Sequence, residues 1–421
     1  MTERQNDLSN FVHQHNIILT DKKTSEELIE LIYEQYAPTS AFYIIDLGSV
    51  IKQYELWTEL FPNIEPHYAV KANPNKIICQ LLSILGTSFD VASVNEINLV
   101  KDLVSTTKMV YANPTKETTS ISYARSVDCD LLVVDSVSEL YKILLYHPSC
   151  NILLRIKVDD SNSLCKFSEK FGAAAEELEE IIKLGAFMSL NIIGVSWHVG
   201  SLCNDPTQFY KAFELAKYAF EVGLKYNLDF NVIDIGGGFI SDRLLLEKTA
   251  SEITKALETF FNDYDYTKQI ELESESDEEI NDKKYKKKQL RLISEPGRFF
   301  VSDSHTLVLN IIGKKVKKID NETRFHYTLN DGIYNSFNCI TYDHSKPVII
   351  PYNNRETIKY KSTIFGCTCD SMDKICNDVM LPQLEVGDTC YVEKFGAYTV
   401  ASSSKGFNGF TEIRKFYVLS K

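Results

Sequence analysis

The 421-residue chain contains no run of 18 or more apolar residues, so no membrane-spanning helix is expected. It has no basic excess. Its 45 Lys and Arg stand against 58 Asp and Glu, and a net charge of −13 argues against nucleic acid as a main partner. It lacks the cysteine density of a small secreted disulfide scaffold. Ten cysteines are scattered along a long chain and read as reduced thiols. Cys367 and Cys369 form a C-x-C with no second pair and no histidine cluster beside it, so no metal site is expected. The opening residues, MTERQNDLSN, carry neither a signal-peptide nor a transit-peptide pattern, and a cytoplasmic location is expected. What remains is an ordinary globular composition, 44% hydrophobic and 24% charged, on a chain long enough for two domains.

Short apolar runs recur with helical stretches between them. HYAVKA, SFDVAS, MVYANP, LLVVDS, ILLRIKV, IIGVSWHVG, NVIDIGGG and RLISEPGR are near-continuous rather than alternating, as strands buried on both faces are. Between them, AAAEELEEIIKLGAF and ELAKYAFEVGLKY show helical spacing. Eight strand–helix units predict a (β/α)8 barrel, with a doubly wound sheet as the alternative. After about residue 305 the pattern becomes all-β: HTLVLNIIGKKVKK, RFHYTLND, KPVIIPY, YKSTIFG, TCYVEKFGAYTV and RKFYVLS. The expected division is an N-terminal segment 1–45 joining the β domain through AFYIIDLG, a barrel over 46–305, and a C-terminal β-sandwich or barrel over 306–421. Residues 271–289, an acidic block followed by a basic one, read as a solvated insert, with Ser274 and Ser276 as weak candidates for acid-directed phosphorylation.

Barrel chemistry sits on the loops after the strands' C-terminal ends, and the unusual residues fall there. Lys71 ends the first strand and Asp90 the second, Arg155 lies within the fifth, and His198 ends the sixth. Gly236–Gly238 follow the seventh, and Glu295–Arg298 the eighth. Taken singly, Lys71 could be a buried ion-pair member and His198 a satisfied core histidine. Together they suit a phosphorylated aldehyde cofactor. A lysine in a partly apolar pocket is nucleophilic and forms a Schiff base. A glycine run with an arginine receives a phosphate, and a carboxylate keeps a pyridine nitrogen protonated.

The motifs YAVKAN, FDVAS, LLRI, HVGS, DIGGGF, EPGR, YDH, CDSMD and GAYT occur in order from about residue 40 to 415. In this the chain resembles the eukaryotic ornithine decarboxylases, which belong to the alanine-racemase-like (fold type III) pyridoxal-phosphate enzymes. The resemblance implies a TIM-like barrel plus a β domain, pyridoxal 5'-phosphate, and conversion of L-ornithine to putrescine and CO2, the first step of polyamine biosynthesis. It assigns Lys71 to the covalent cofactor link, Glu295 to the pyridine nitrogen and His198 to the ring face. It places Ser201, Gly236, Gly237, Gly238, Arg298 and Tyr398 around the phosphate, with Asp90, Glu96 and Arg155 as a polar shell. Asp343, Asp370 and Tyr342 would bind the substrate, and Cys369 would return a proton to its α carbon. It further implies a homodimer with shared sites and a Lys170–Asp373 interface pair, and leaves room for an antizyme-like regulator. Alternatives are a lysine or arginine decarboxylase of the same family and a non-catalytic antizyme-inhibitor-like homologue. Ala72, Cys367 and Ile240 depart from the family's pattern at non-catalytic positions.

Overall fold

The structure is a computed structural model that describes residues 3–266, 287–319, 321–354, 356–404 and 406–421. The expected phosphorylation positions, Ser274 and Ser276, lie outside the described residues. The chain divides into two compact units. A barrel unit takes Glu55–Val70 and Gly86–Gly297, and a β unit takes Met1–Tyr54, Lys71–Leu85 and Arg298–Lys421.

All eight apolar runs form barrel strands: β1 Glu65–Ala69, β2 Ser88–Val91, β3 Met109–Tyr111, β4 Leu131–Val134, β5 Asn151–Arg155, β6 Asn191–Ser196, β7 Val232–Asp234 and β8 Arg291–Ser294. They pair in parallel in sequence order, and β8 bonds both β7 and β1 to close the ring. Val110, Leu131, Val133, Leu153, Val232 and Ile293 form one buried cluster contributed by five of these strands. The connecting helices bury one stripe each. Thr207–Lys225 turns Phe209, Ala212, Phe213, Ala216, Ala219 and Phe220 inward at three- and four-residue spacing. Ala175–Phe187 buries Leu178, Ile181, Ile182 and Gly185 in the same manner.

The β unit is built on the long strand His305–Ile319. Its first part pairs antiparallel with Phe42–Asp46 and Thr389–Val392, and its second with Glu322–Leu329. AFYIIDLG thus supplies a strand of this sheet, and Arg414–Ser420 lies parallel beside it. The helix Ser25–Tyr36 buries Leu28, Ile29 and Ile32 against Phe42, Ile44, Val308, Phe416 and Val418. Two expectations for this unit are corrected, and one strand is added. KPVIIPY contributes only Ile350–Pro351 to the sheet, and TCYVEKFGAYTV contributes only Thr389–Val392. Lys374–Leu381, unexpected from the sequence, is a full strand paired with Tyr360–Phe365.

Candidate active site

At the ends of β7 and β8 the backbone is tied into a small network. The Gly236 N–H donates to Asp234 Oδ1 at 2.9 Å. The Gly236 carbonyl accepts the Glu295 N–H at 2.8 Å and Ser294 Oγ at 2.7 Å. Gly236 and Gly238 have φ of +66° and +108°, a region that side-chain-bearing residues rarely enter. Residue 237 has no such strain, yet a Cβ there would lie 2.9 Å from His198 Nε2 and 2.8 Å from the Glu295 carbonyl oxygen. The bare glycine backbone therefore packs directly against His198 and Glu295, with no room for a side chain.

The charged groups of this end are buried together. Asp90 is 1% exposed, Asp234 fully buried and Glu295 6% exposed. Burial pushes the Asp234 carboxyl up to about 7, opposed by hydrogen bonds from Gly236 and with Glu295 and reinforced by Asp90. Burial also pulls the Arg155 guanidinium below its ordinary value, while Glu295, Asp135, Asp234 and Asp90 pull it back. That guanidinium lies over the Phe171 ring, 5.0 Å from its centre. His198 meets Phe167 edge to face at 4.8 Å and accepts the Gly200 N–H at Nδ1, 3.0 Å away. Ser201, half-buried, opens a short strand paired with Ser163–Cys165. Glu96 sits in the first turn of the helix Val94–Val100, where its Oε2 accepts the Ala92 N–H at 2.6 Å.

Lys71 lies in the 3-10 turn Val70–Ala72 that follows β1, half-buried and flanked by buried Val70 and Ala72. Within the β unit the next carbonyl, Ala72 O, accepts the Tyr398 N–H at 2.9 Å. Arg298 spans the Tyr398 ring at 4.8 Å and pairs with Asp343 at 2.5 Å. The structure thus brings Arg298, Tyr398 and Asp343 to one place, with Asp343 in contact with the residue expected at the phosphate. Tyr342 points outward, 67% exposed. Cys369 is exposed, and its N–H donates to Asn408 Oδ1 at 3.0 Å. Asp370 accepts the Met372 N–H at 2.9 Å and the Tyr334 hydroxyl, and these two bonds hold its carboxyl below the ordinary value. Tyr334 in turn stacks on Phe407 at 4.0 Å.

Asp373 is 1% exposed and accepts the Ile333 N–H at 2.8 Å, the Thr368 N–H at 2.9 Å and Thr368 Oγ1 at 2.7 Å. Its carboxylate joins its own loop to the segment at Ile333. Lys170 rests over Phe171 at 4.9 Å. Asp234, Ser294 and Tyr334 carry no role in the sequence reading. For Asp234 a signal was present, because an aspartate two residues before a glycine invites an Asx turn.

Two features match pyridoxal phosphate. The glycine run presents bare backbone where His198 and Glu295 leave no room for a side chain, and the buried Glu295 carboxyl beside Asp90 and Asp234 suits a protonated ring nitrogen. Residues 47–302 match the family described as pyridoxal-dependent decarboxylase, pyridoxal binding domain. The chain belongs to this family. It is a pyridoxal-dependent decarboxylase whose cofactor is pyridoxal 5'-phosphate. Among curated relatives, it is 40% identical over 409 residues to the ornithine decarboxylase of Schizosaccharomyces pombe, covering 94% of this chain and 88% of the relative. It is 36% identical over 423 residues to that of Mus musculus, covering 96% and 87%. It is also 33% identical over 414 residues to antizyme inhibitor 2 of Xenopus laevis, covering 94% and 86%. A solved arginine decarboxylase of Paramecium bursaria Chlorella virus superposes with a TM-score of 0.83 at 30% identity, covering 93% of this chain and all of the other. Among the described residues of this decarboxylase, no helix is long and apolar enough to cross a membrane.

Proposed function

We infer that the chain is a carboxy-lyase that converts L-ornithine to putrescine and CO2. The observation that carries this is the buried Glu295 packed against the bare glycine run, in a chain 40% identical to an ornithine decarboxylase over 94% of its length. Pyridoxal phosphate, when bound, supplies a protonated ring that takes up the electron pair left as the carboxyl departs. Lys71 is assigned to hold the cofactor covalently, its neighbours Val70 and Ala72 keeping water away. Glu295 would hold the proton on the cofactor's ring nitrogen, with Asp90, Glu96 and Arg155 as the polar shell. His198 would pack against the cofactor, and Ser201, Gly236–Gly238, Arg298 and Tyr398 would receive its phosphate. Asp343 and Asp370, with Tyr342 beside them, select the substrate by trapping its distal ammonium. Both carboxylates already have partners, Arg298 for Asp343 and Tyr334 for Asp370, so a substrate without that charge would forgo a charge-assisted bond, worth roughly tenfold or more in rate. Cys369 returns a proton to the α carbon.

We propose a homodimer in which the exposed Cys369 and the half-buried Asp370 of one protomer complete the site of the other. The Lys170–Asp373 pair belongs to the same interface proposal, with Asp373 accepting the partner's lysine alongside its bonds from Ile333 and Thr368. A protein regulator of the antizyme kind belongs to the same proposal, motivated by the antizyme-inhibitor relative.

The test is CO2 release from ornithine, lysine and arginine, with and without added pyridoxal phosphate. Ornithine is expected to be the best substrate and lysine a weaker one. Lys71→Arg should keep the fold and abolish putrescine formation, and full activity in that variant would end the assignment. No CO2 from any of the three amino acids would favour the non-catalytic regulator instead.

A further inference from the structure

Two residues beyond Lys71, the Asn73 side chain is buried within the β unit, 1% exposed. Its Nδ2 lies 2.7 Å from the Gly396 carbonyl oxygen and 3.1 Å from His305 Nε2. A carbonyl oxygen only accepts, so the amide's donor end faces Gly396, and its second hydrogen is directed at the imidazole. Nε2 is then the accepting nitrogen, and the ring proton sits on Nδ1. The far side of the ring agrees. Ser304 Oγ lies 2.8 Å from Nδ1 and 2.7 Å from the Val301 carbonyl, so it donates to the carbonyl and accepts from Nδ1–H. His305 is 1% exposed and meets Tyr43 edge to face at 5.8 Å. Burial, helped by the charge of Lys415, holds its pKa down at about 3, which keeps the ring neutral and Nε2 open to the amide.

The second tether is next to the first. Ala72 O accepts the Tyr398 N–H at 2.9 Å. Gly396 has no room for a side chain, since a Cβ there would lie 2.7 Å from His305 Nδ1. Ala72 and Asn73, the two residues after Lys71, are therefore both fastened to the segment Gly396–Tyr398, and one fastening depends on a single tautomer of one histidine. We propose that Asn73 and His305 are positioning residues that hold the Lys71 turn against Gly396–Tyr398. They act through the backbone of the turn, without contact with the reacting atoms. The inference rests on the reading of Lys71 as the residue that carries the cofactor.

The experiment uses the holoenzyme. Asn73→Leu removes both donors at similar volume, His305→Leu removes the acceptor, and His305→Gln retains one in its Oε1. Three quantities are read: the rate at which the Lys71-bound chromophore is lost on dilution into cofactor-free buffer, kcat and KM for ornithine, and the unfolding midpoint. Either leucine variant should lose cofactor about tenfold faster and drop kcat about tenfold, with KM nearly unchanged. His305→Gln should restore both, and the double leucine variant should be no worse than Asn73→Leu alone. Wild-type cofactor loss and kcat in the leucine variants would overturn the proposal, as would fully additive losses or a lowered midpoint with no change in cofactor retention. If Asn73→Leu fails to fold, the His305→Leu and His305→Gln pair makes the same comparison without altering the turn. A wild-type protein with no chromophore on Lys71 would overturn the parent reading as well, whereas a normal chromophore with indifferent variants overturns this inference alone.

Discussion

A methyl group on residue 237 would press on two atoms that have little freedom to move. His198 is held by the Gly200 N–H at one nitrogen and by Phe167 at its flank, and the other contact is a backbone carbonyl. Forcing one carbon into such a site costs about 1–3 kcal/mol. Gly237→Ala is therefore expected to weaken pyridoxal phosphate binding roughly tenfold or more, with the strand network around Asp234 intact. Titration of the apoenzyme with cofactor measures this, and an unchanged affinity would mean that the glycine run does not seat the cofactor. At this scale the sequence was legible where function is carried in contiguous motifs. Lys71, His198, Gly236–Gly238 and Glu295 could all be singled out from short stretches. Asn73 and His305 could not, because their contact joins residues 232 positions apart and its meaning depends on a tautomer. Asp343 was read as a substrate ligand, and nothing in the motif YDH announces its ion pair with Arg298.

At the scale of elements, legibility followed burial. The barrel strands are covered on both faces, so each reads as an apolar run bounded by turn residues, and all eight were found. The β unit's strands are partly exposed and irregular, and the pattern weakens accordingly. Lys374–Leu381 carries Asn377 and Asp378 in its middle, a pair that reads as a turn. The structure absorbs them in a bulge: Ser362 faces Val379 and Ile364 faces Cys376, so one residue lies opposite two, and Asp378 takes φ +51°. The two halves of TCYVEKFGAYTV part company for a different reason. Lys394 and Tyr398 have positive φ, which ends the strand and aims Tyr398 at Arg298. One missed element had a readable signal. Thr24 and Glu27 form a capping box at the start of Ser25–Tyr36, with the Glu27 N–H on Thr24 Oγ1 at 3.3 Å and the Thr24 N–H on Glu27 Oε2 at 3.0 Å.

For the whole molecule, acid stability sums buried groups of opposite sign. Burial lowers the pKa of His67 to about 4 and that of His305 to about 3, against an ordinary 6.5. As pH falls through 6.5 the unfolded chain takes up protons that these folded sites refuse, so stability falls. Burial raises Asp234 to about 7 and Asp331 to about 6 from 3.8. These folded sites keep protons that the unfolded chain has released, so their contribution is lost as pH rises. The slopes oppose each other between about pH 4 and 6. His305→Gln removes one of the acid-sensitive groups, so the unfolding midpoint of the apo variant, relative to wild type, should climb as pH is lowered from 7 to 5. An offset that stays constant across that range would show that His305 does not titrate between the folded and unfolded states.

The dimer admits a test that depends on assembly itself. If Lys71 of one protomer works with Cys369 of the other, Lys71→Ala and Cys369→Ala each inactivate both sites of their own homodimers. Random exchange makes half the dimers mixed. In a mixed dimer one site has lost both residues and the other has neither loss, so the mixture should recover about a quarter of wild-type activity. If Lys71 and Cys369 instead served the same site within one chain, every site in the mixture would lack one of them and no activity would return. The recovery, read after the two variants are unfolded and refolded together so that their subunits mix, therefore reports which protomer supplies the thiol.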